Sequence, residues 1–169
     1  MDRDTLLPKL DQAMRAERDG YEFYSSAAAR SQDPGARTMF TRLADDERQH
    51  FIALQERARV IASGGEWVSG TLEQDAWDPA SAAELFSPDF RERIALHHVE
   101  MSALSIGILL EKRSVEFYSQ REQEAEDPEV RRFFHDLVVW ETAHHEALLA
   151  LDDQMKTEYW EANRFSPLL

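Results

Sequence analysis

The sequence predicts an all-α protein, a four-helix bundle made of two repeated helical hairpins joined by a long crossover. Three observations support this prediction. The chain contains itself twice, because 15 of the 45 positions from Leu10 to Leu54 are identical to the positions 94 residues later. Within each copy, apolar residues recur at intervals of three and four, which is typical of amphipathic helices. Between the copies, residues 63–88 contain three glycines and two prolines, which indicates a connection rather than a long helix.

The first predicted helix of each repeat carries an apolar stripe that includes one glutamate. Spacings of three, four and seven residues place these side chains on one helix face, which we expect to face the core. Both copies also contain the tetrapeptide EFYS, at residues 22–25 and 116–119. The stripe residues are Leu10, Met14, Glu17, Tyr21, Tyr24 and Ala28 in the first copy, and Leu104, Ile108, Glu111, Val115 and Tyr118 in the second.

The second predicted helix of each repeat begins at an Asp-Pro pair, Asp33-Pro34 or Asp127-Pro128. Aspartate is a favoured N-cap, and proline is favoured at the first helical position because its missing N–H is not needed there. The stripe that follows contains a Glu-x-x-His motif in both copies. Its residues are Phe40, Leu43, Glu47, His50, Leu54 and Ile61 in the first copy, and Phe134, Leu137, Glu141, His144, Leu148 and Leu151 in the second.

These elements predict one domain spanning residues 1–169. Four long helices with a long connection between the second and third correspond to a ferritin-like bundle topology. The predicted parts are a first unit of about residues 6–62, a crossover of about 63–99 and a second unit of about 100–158.

Within the crossover, Asp78-Pro79 and Ser87-Pro88 could each open a short helix. Residues 89–100 fit either another short helix or an early start of the third long helix. A crossover of this length also allows the hairpins to pair within one chain or to exchange between two chains.

Composition excludes several classes of function. The formal charge of −14 argues against nucleic acid or an anionic membrane as partner. No N-terminal signal pattern occurs, and no apolar run approaches the ~20 residues of a membrane span, so we expect a cytoplasmic protein. With no cysteine, disulfides, iron–sulfur clusters, rubredoxin-type iron and thiolate zinc are excluded. A metal site would have to consist of carboxylates and imidazoles.

Four glutamates and two histidines lie on the core-facing stripes, where unpaired burial would cost several kcal/mol. Pairing the two units would bring them together as the ligand set of di-iron and di-manganese bundles, in which two divalent cations balance four carboxylates. We predict that Glu47 and Glu141 bridge the metals. We further predict one metal completed by Glu17 and His50 and the other by Glu111 and His144.

Oxygen donors with one imidazole per metal suit two iron ions, with manganese possible and zinc as a substitute. Tyr24 and Tyr118 lie two turns after the glutamates of the first helices, and we expect each to hydrogen-bond a ligand carboxylate. A bundle that only pairs its own glutamates and histidines, or one that keeps zinc for structure, is the alternative.

The remaining histidines are weaker candidates. His145 also lies near the core face, and Glu141-x3-His145 is a possible ligand spacing, but the equivalent residue of the first copy is Phe51, so the repeat favours His144. His97, His98 and Glu100 do not share one helix face, which favours a surface position or a dimer contact.

At Glu-x6-Tyr and Glu-x-x-His, each present twice, the sequence resembles the rubrerythrin/erythrin branch of the ferritin-like superfamily over about residues 6–158. The resemblance implies a dimeric di-iron bundle that reduces hydrogen peroxide or O2 as Fe(II) is oxidised. Iron oxidation for storage or transfer, or a structural metal bundle without turnover, are the alternatives.

This sequence departs from that family in two ways. Without cysteine it holds no rubredoxin domain, so a peroxidase would need an external electron donor. Ser114 stands where the family carries an additional glutamate, one turn after the ligand of the third helix, and the ligand movement attributed to that glutamate is therefore not expected.

Overall fold

The computed structural model describes residues 3–67 and 98–162, and four helices make up almost all of this part of the chain. They are α1 (Arg3–Arg30), α2 (Pro34–Ala62), α3 (His98–Glu124) and α4 (Pro128–Ala162). Helix α1 packs along α2 and α3 packs along α4, and the two hairpins meet where α1 contacts α3. The predicted all-α, ferritin-like four-helix bundle is confirmed.

Both hairpin turns have the same chemistry, as the repeat predicts. Asp33 Oδ1 accepts a hydrogen bond of 2.9 Å from the backbone N–H of Ala36 at the start of α2. Asp127 Oδ1 accepts one of 2.8 Å from the N–H of Glu129 at the start of α4. Because each aspartate satisfies a free N–H of the first turn, each helix begins at the proline that follows it.

The core consists of two apolar clusters with the predicted polar residues between them. Phe40, Leu43 and Leu148 belong to one cluster, and Leu10 and Phe134 to the other. Each side chain named is at most 1% exposed. Apolar packing on both sides fixes the helices around a central layer, so that layer is closed off from bulk water at both ends.

The repeated EFYS motif has repeated tertiary contacts. Tyr24 stacks on Phe40 with ring centroids 6.2 Å apart, and its equivalent Tyr118 stacks on Phe134 at 6.3 Å. In both copies the preceding phenylalanine packs edge-on against the tyrosine. The pseudo-twofold relation between the units therefore extends to side-chain packing, and it places both tyrosines beside the central layer.

Two positions differ from the prediction. Tyr21 is 38% exposed rather than in the core. At roughly 100° per residue it lies about 40° around the helix from Glu17, on the side away from Tyr24, which puts it at the edge of the stripe. Glu100 is buried rather than at the surface, and its Oε1 accepts a hydrogen bond of 2.7 Å from the backbone N–H of Gln32 between α1 and α2.

Helix bounds differ from the predicted units by a few residues, since α3 begins at His98 and α4 continues to Ala162. The predicted crossover helices at Asp78-Pro79 and Ser87-Pro88, and His97, lie outside the described residues. Among the described helices, none combines the length and the apolar character that crossing a bilayer requires.

Candidate metal centre

All six predicted ligands lie in the central layer of the bundle. Helix α1 supplies Glu17, α2 supplies the pair Glu47 and His50, α3 supplies Glu111, and α4 supplies the pair Glu141 and His144. Each is at most 4% exposed, although four of the six are carboxylic acids. The fold thus concentrates groups whose burial is costly, and one chain provides all of them.

The six side chains form two groups that share two glutamates. In the first group, donor atoms of Glu17, Glu47, His50 and Glu141 all lie within 4.8 Å of one another. The second group, with the same limit, consists of Glu47, Glu111, Glu141 and His144. Glu47 and Glu141 belong to both, which is the arrangement predicted for bridging carboxylates. That these residues bind metal stays a prediction.

The arrangement of the donor atoms suits binding of a cation better than hydrogen bonding between the side chains themselves. Among the described residues, neither carboxylate oxygen of Glu141 has a hydrogen-bond partner, although both are buried. Nδ1 of His50 approaches Oε1 of Glu141 to 2.9 Å without hydrogen-bond geometry. Nδ1 of His144 lies 3.8 Å from Glu111 and 3.9 Å from both Glu47 and Glu141. A divalent ion in each of the two donor groups would bind the carboxylate oxygens of Glu141, which have no hydrogen-bond partner among the described residues.

The two tyrosines hydrogen-bond carboxylates of the opposite hairpin. The hydroxyl of Tyr24 donates to Oε1 of Glu111, and the hydroxyl of Tyr118 donates to Oε1 of Glu17. One oxygen of each glutamate is thereby fixed, while its other oxygen faces a histidine. The expected hydrogen bond from each tyrosine to a predicted ligand carboxylate is present, and it joins the two repeats.

The outer sides of the two histidines differ. Nε2 of His144 lies 3.2 Å from Oδ2 of Asp46, while its Nδ1 faces the glutamates. The residue that corresponds to Asp46 in the second repeat is Trp140, and its ring stacks on His50 with centroids 4.9 Å apart. A carboxylate behind a histidine fixes the ring orientation and increases its basicity as a ligand.

Burial raises the pKa of Glu47 and of Glu141 well above the ordinary value, and the charges of neighbouring glutamates raise both further. Burial would also raise the pKa of Glu17 and of Glu111. Contacts with His50 and His144, respectively, outweigh burial and leave both pKa values below the ordinary range. In the metal-free protein these shifts favour the protonated form of Glu47 and Glu141 and the ionised form of the other two glutamates.

Burial by itself lowers the pKa of each histidine, but the surrounding carboxylates have the larger total effect. The charges of Glu141 and Glu17 raise the pKa of His50 well above its ordinary value. The hydrogen bond to Asp46 and the charge of Glu111 raise the pKa of His144 to about 9. The raised pKa values favour the imidazolium forms, whose positive charge offsets that of ionised glutamates in the metal-free centre.

We expect Asp46→Asn to weaken metal binding about 10- to 100-fold, because the amide no longer makes His144 a stronger donor. Titration with Mn(II) in a calorimeter measures the change. Asp45→Asn is the matched control, since Asp45 is the exposed neighbour on the same helix. Equal losses in both variants would contradict this role for Asp46.

Sequence reasoning did not identify Asp46 or Gly20 as parts of the centre. A Cβ at Gly20 would lie 3.0 Å from Oε2 of Glu47, so the glycine leaves room for that carboxylate. The repeat gave a signal for Gly20, since its equivalent Ser114 is also small. Asp46 contacts a histidine of the other hairpin, and no spacing within one repeat reveals such a contact. His145 belongs to neither donor group.

Comparison with known proteins agrees with this geometry. The profile of the family described as Rubrerythrin matches residues 8–152, a range that contains all six donors and both tyrosines. Searches of curated proteins and of solved structures found no match. Since the profile covers most of the 169 residues, the chain belongs to the rubrerythrin family.

Proposed function

We propose that this protein binds two iron ions between its hairpins and reduces hydrogen peroxide or O2 as Fe(II) is oxidised. The observation that carries the proposal is the pair of buried donor groups that share Glu47 and Glu141. Each group offers three carboxylates and one imidazole, a donor set that suits iron and manganese. When bound, the metal pair supplies two electrons and Lewis acidity to the oxidant.

The chain's own residues hold and orient this pair. Glu47 and Glu141 would bridge, whereas His50 and His144 would each ligate one ion through Nδ1, the nitrogen that faces the glutamates. Burial raises the pKa of Tyr24 well above its ordinary value, so its hydroxyl stays a hydrogen-bond donor to Glu111. Fixed donors of this kind keep the carboxylates in place when the charge of the centre changes.

The proposal includes an external electron donor, because the 169 residues contain no cysteine for an iron–sulfur or rubredoxin-type centre. It also includes a homodimer in the cytoplasm. Ile106 and Leu109 on α3 are 47% and 56% exposed, which is consistent with a contact between two copies of the chain at this helix. Light scattering tests the dimer, and a much larger assembly would favour iron storage instead.

Anaerobic loading with Fe(II), followed by stopped-flow mixing with limiting hydrogen peroxide or O2, tests the reaction. We expect two Fe(II) per chain and faster oxidation by peroxide than by O2. The two electrons of the pair reduce hydrogen peroxide completely to water but take O2 only to hydrogen peroxide, so peroxide reduction is the reaction that the pair can complete by itself.

Protein loaded with Zn(II) is the control, because zinc has no accessible second oxidation state and should consume no peroxide. Faster oxidation by O2 would indicate a ferroxidase or oxidase instead of a peroxidase. Failure to bind Fe(II) stoichiometrically, or no reaction with either oxidant, would overturn the proposal and leave a structural bundle.

A further inference from the structure

A cavity of about 320 Å³ lies between α1 and α3 and leads to the candidate metal centre. Glu47, Glu111 and both tyrosines that bond the ligand carboxylates line its inner part. Neither His50 nor His144 is among its lining residues. The cavity therefore approaches the centre from the side opposite the imidazoles, where an added ligand would meet the carboxylates.

The cavity is larger than hydrogen peroxide or O2 requires. A water molecule takes about 30 Å³ in the liquid, and either oxidant is comparable to one or two waters. In contrast, about 320 Å³ lies at the lower end of the range of roughly 300–1,000 Å³ that is typical of sites for organic ligands. Two small residues that line the cavity contribute to this space. Gly20 lies one turn after Glu17 on α1, and Ser114 lies one turn after Glu111 on α3.

The walls favour an uncharged, apolar ligand. Ala16, Leu110 and Phe117 present apolar groups to the cavity. The charged lining residues outside the centre are one aspartate and one arginine, Asp19 and Arg113, so the opening has no net charge to attract an ion. The formal charge of −14 over the whole chain further disfavours an anionic ligand.

We propose that the substrate class of this centre includes neutral organic hydroperoxides, with the apolar group in the α1–α3 cavity and the peroxide directed at Glu47 and Glu111. This inference rests on the proposed function, since the metal pair must supply the electrons. The O–O bond breaks, two electrons come from the reduced pair, and two protons come from solvent. The organic oxygen leaves as an alcohol and the other oxygen as water.

The test compares two oxidants on the Fe(II)-loaded protein. Limiting cumene hydroperoxide and limiting hydrogen peroxide are mixed separately with the protein in a stopped-flow instrument. We expect cumene hydroperoxide to oxidise the centre at least as fast as hydrogen peroxide. Ser114→Leu and Ala16→Leu, from opposite walls, should each lower the ratio of the two rate constants about tenfold or more by filling the cavity.

A second measurement is independent of turnover. Zn(II)-loaded protein is titrated calorimetrically with 2-phenyl-2-propanol, the alcohol that cumene hydroperoxide yields. We expect saturable binding that both cavity variants weaken. Ser105→Leu is the matched control, because Ser105 is an exposed serine on the same helix and does not line the cavity. Ala16 is itself exposed, so its replacement carries little risk to folding.

The outcomes separate this inference from the function on which it rests. Oxidation by hydrogen peroxide, together with slow reaction of cumene hydroperoxide and no binding of the alcohol, would overturn the inference and leave the proposed function intact. An unchanged rate ratio in both cavity variants would also overturn it. If neither oxidant reacts with loaded protein, both the proposed function and the inference fail.

Discussion

Replacement of Glu141 by alanine is expected to abolish paired metal binding. Glu141 is 0% exposed and belongs to both donor groups, so its loss removes one ligand from each predicted ion. We expect the affinity to fall by more than about 100-fold, which exceeds the loss typical of a residue that only supports a ligand. Elemental analysis after anaerobic Fe(II) loading and desalting measures the number of ions that each chain retains.

Glu146→Ala is the matched control for this experiment, because Glu146 is an exposed glutamate on the same helix. It should retain the stoichiometry of the wild-type chain. Retention of two ions by Glu141→Ala would show that this residue does not bridge, and would contradict the centre as described. Circular dichroism of the metal-free variant checks that the helices are intact.

The second large effect concerns pH: the metal-free protein should lose stability as the pH rises, whereas the stabilisation by bound metal should grow. We expect the free energy of unfolding of the metal-free protein to decrease from about pH 6.5 to about pH 9. Over the same range the stabilisation by bound metal should increase. At a free metal concentration of 1,000 times the dissociation constant, a single bound ion would contribute about 4 kcal/mol.

The two histidines explain why the metal-free protein should become less stable as the pH rises. The pKa of His144 is about 9 in the folded protein against an ordinary value of 6.5, so its stabilising contribution is complete below pH 6.5 and is lost as pH rises through 9. For this residue alone the difference corresponds to about 3 kcal/mol. His50 also has a raised pKa and acts in the same direction.

The buried glutamates with raised pKa values add to this trend. Because Glu47 and Glu141 take up protons more readily in the folded state, deprotonation above their ordinary pKa destabilises the metal-free fold. Glu17 and Glu111, whose pKa values are lowered, contribute stability above their ordinary pKa that is lost only in acid. Because ligands must be deprotonated, bound cations would replace protons on the histidines and on the glutamates with raised pKa values, so metal binding should release protons.

Urea denaturation at a series of pH values, with chelator or with saturating Zn(II), measures both stability curves. Proton release on Zn(II) addition in weakly buffered solution provides an independent check of the same linkage. A metal-free protein whose stability increases from pH 6.5 to 9, or metal uptake that releases no protons, would contradict the protonation states described for the centre.

Much of this architecture could be predicted from the sequence, because its determinants are local and occur twice. Helical periodicity placed Glu17, Glu47 and His50 on core-facing stripes, and Asp33 with Pro34 set the start of α2. A repeat at constant offset then requires the second unit to present the same groups to the first. Those two facts were enough to predict the bundle and the six residues gathered at its centre.

The sequence predicted that Glu47 and Glu141 are shared between the two halves, but only the tertiary structure decided the other contacts between them. Tyr118 bonds Glu17 across the bundle, and Asp46 meets His144 of the other hairpin. Only the packed helices show the cavity between α1 and α3 and the burial of Glu100. Periodicity along a chain determines which face of a helix is buried, whereas the distance between two faces depends on how the helices pack.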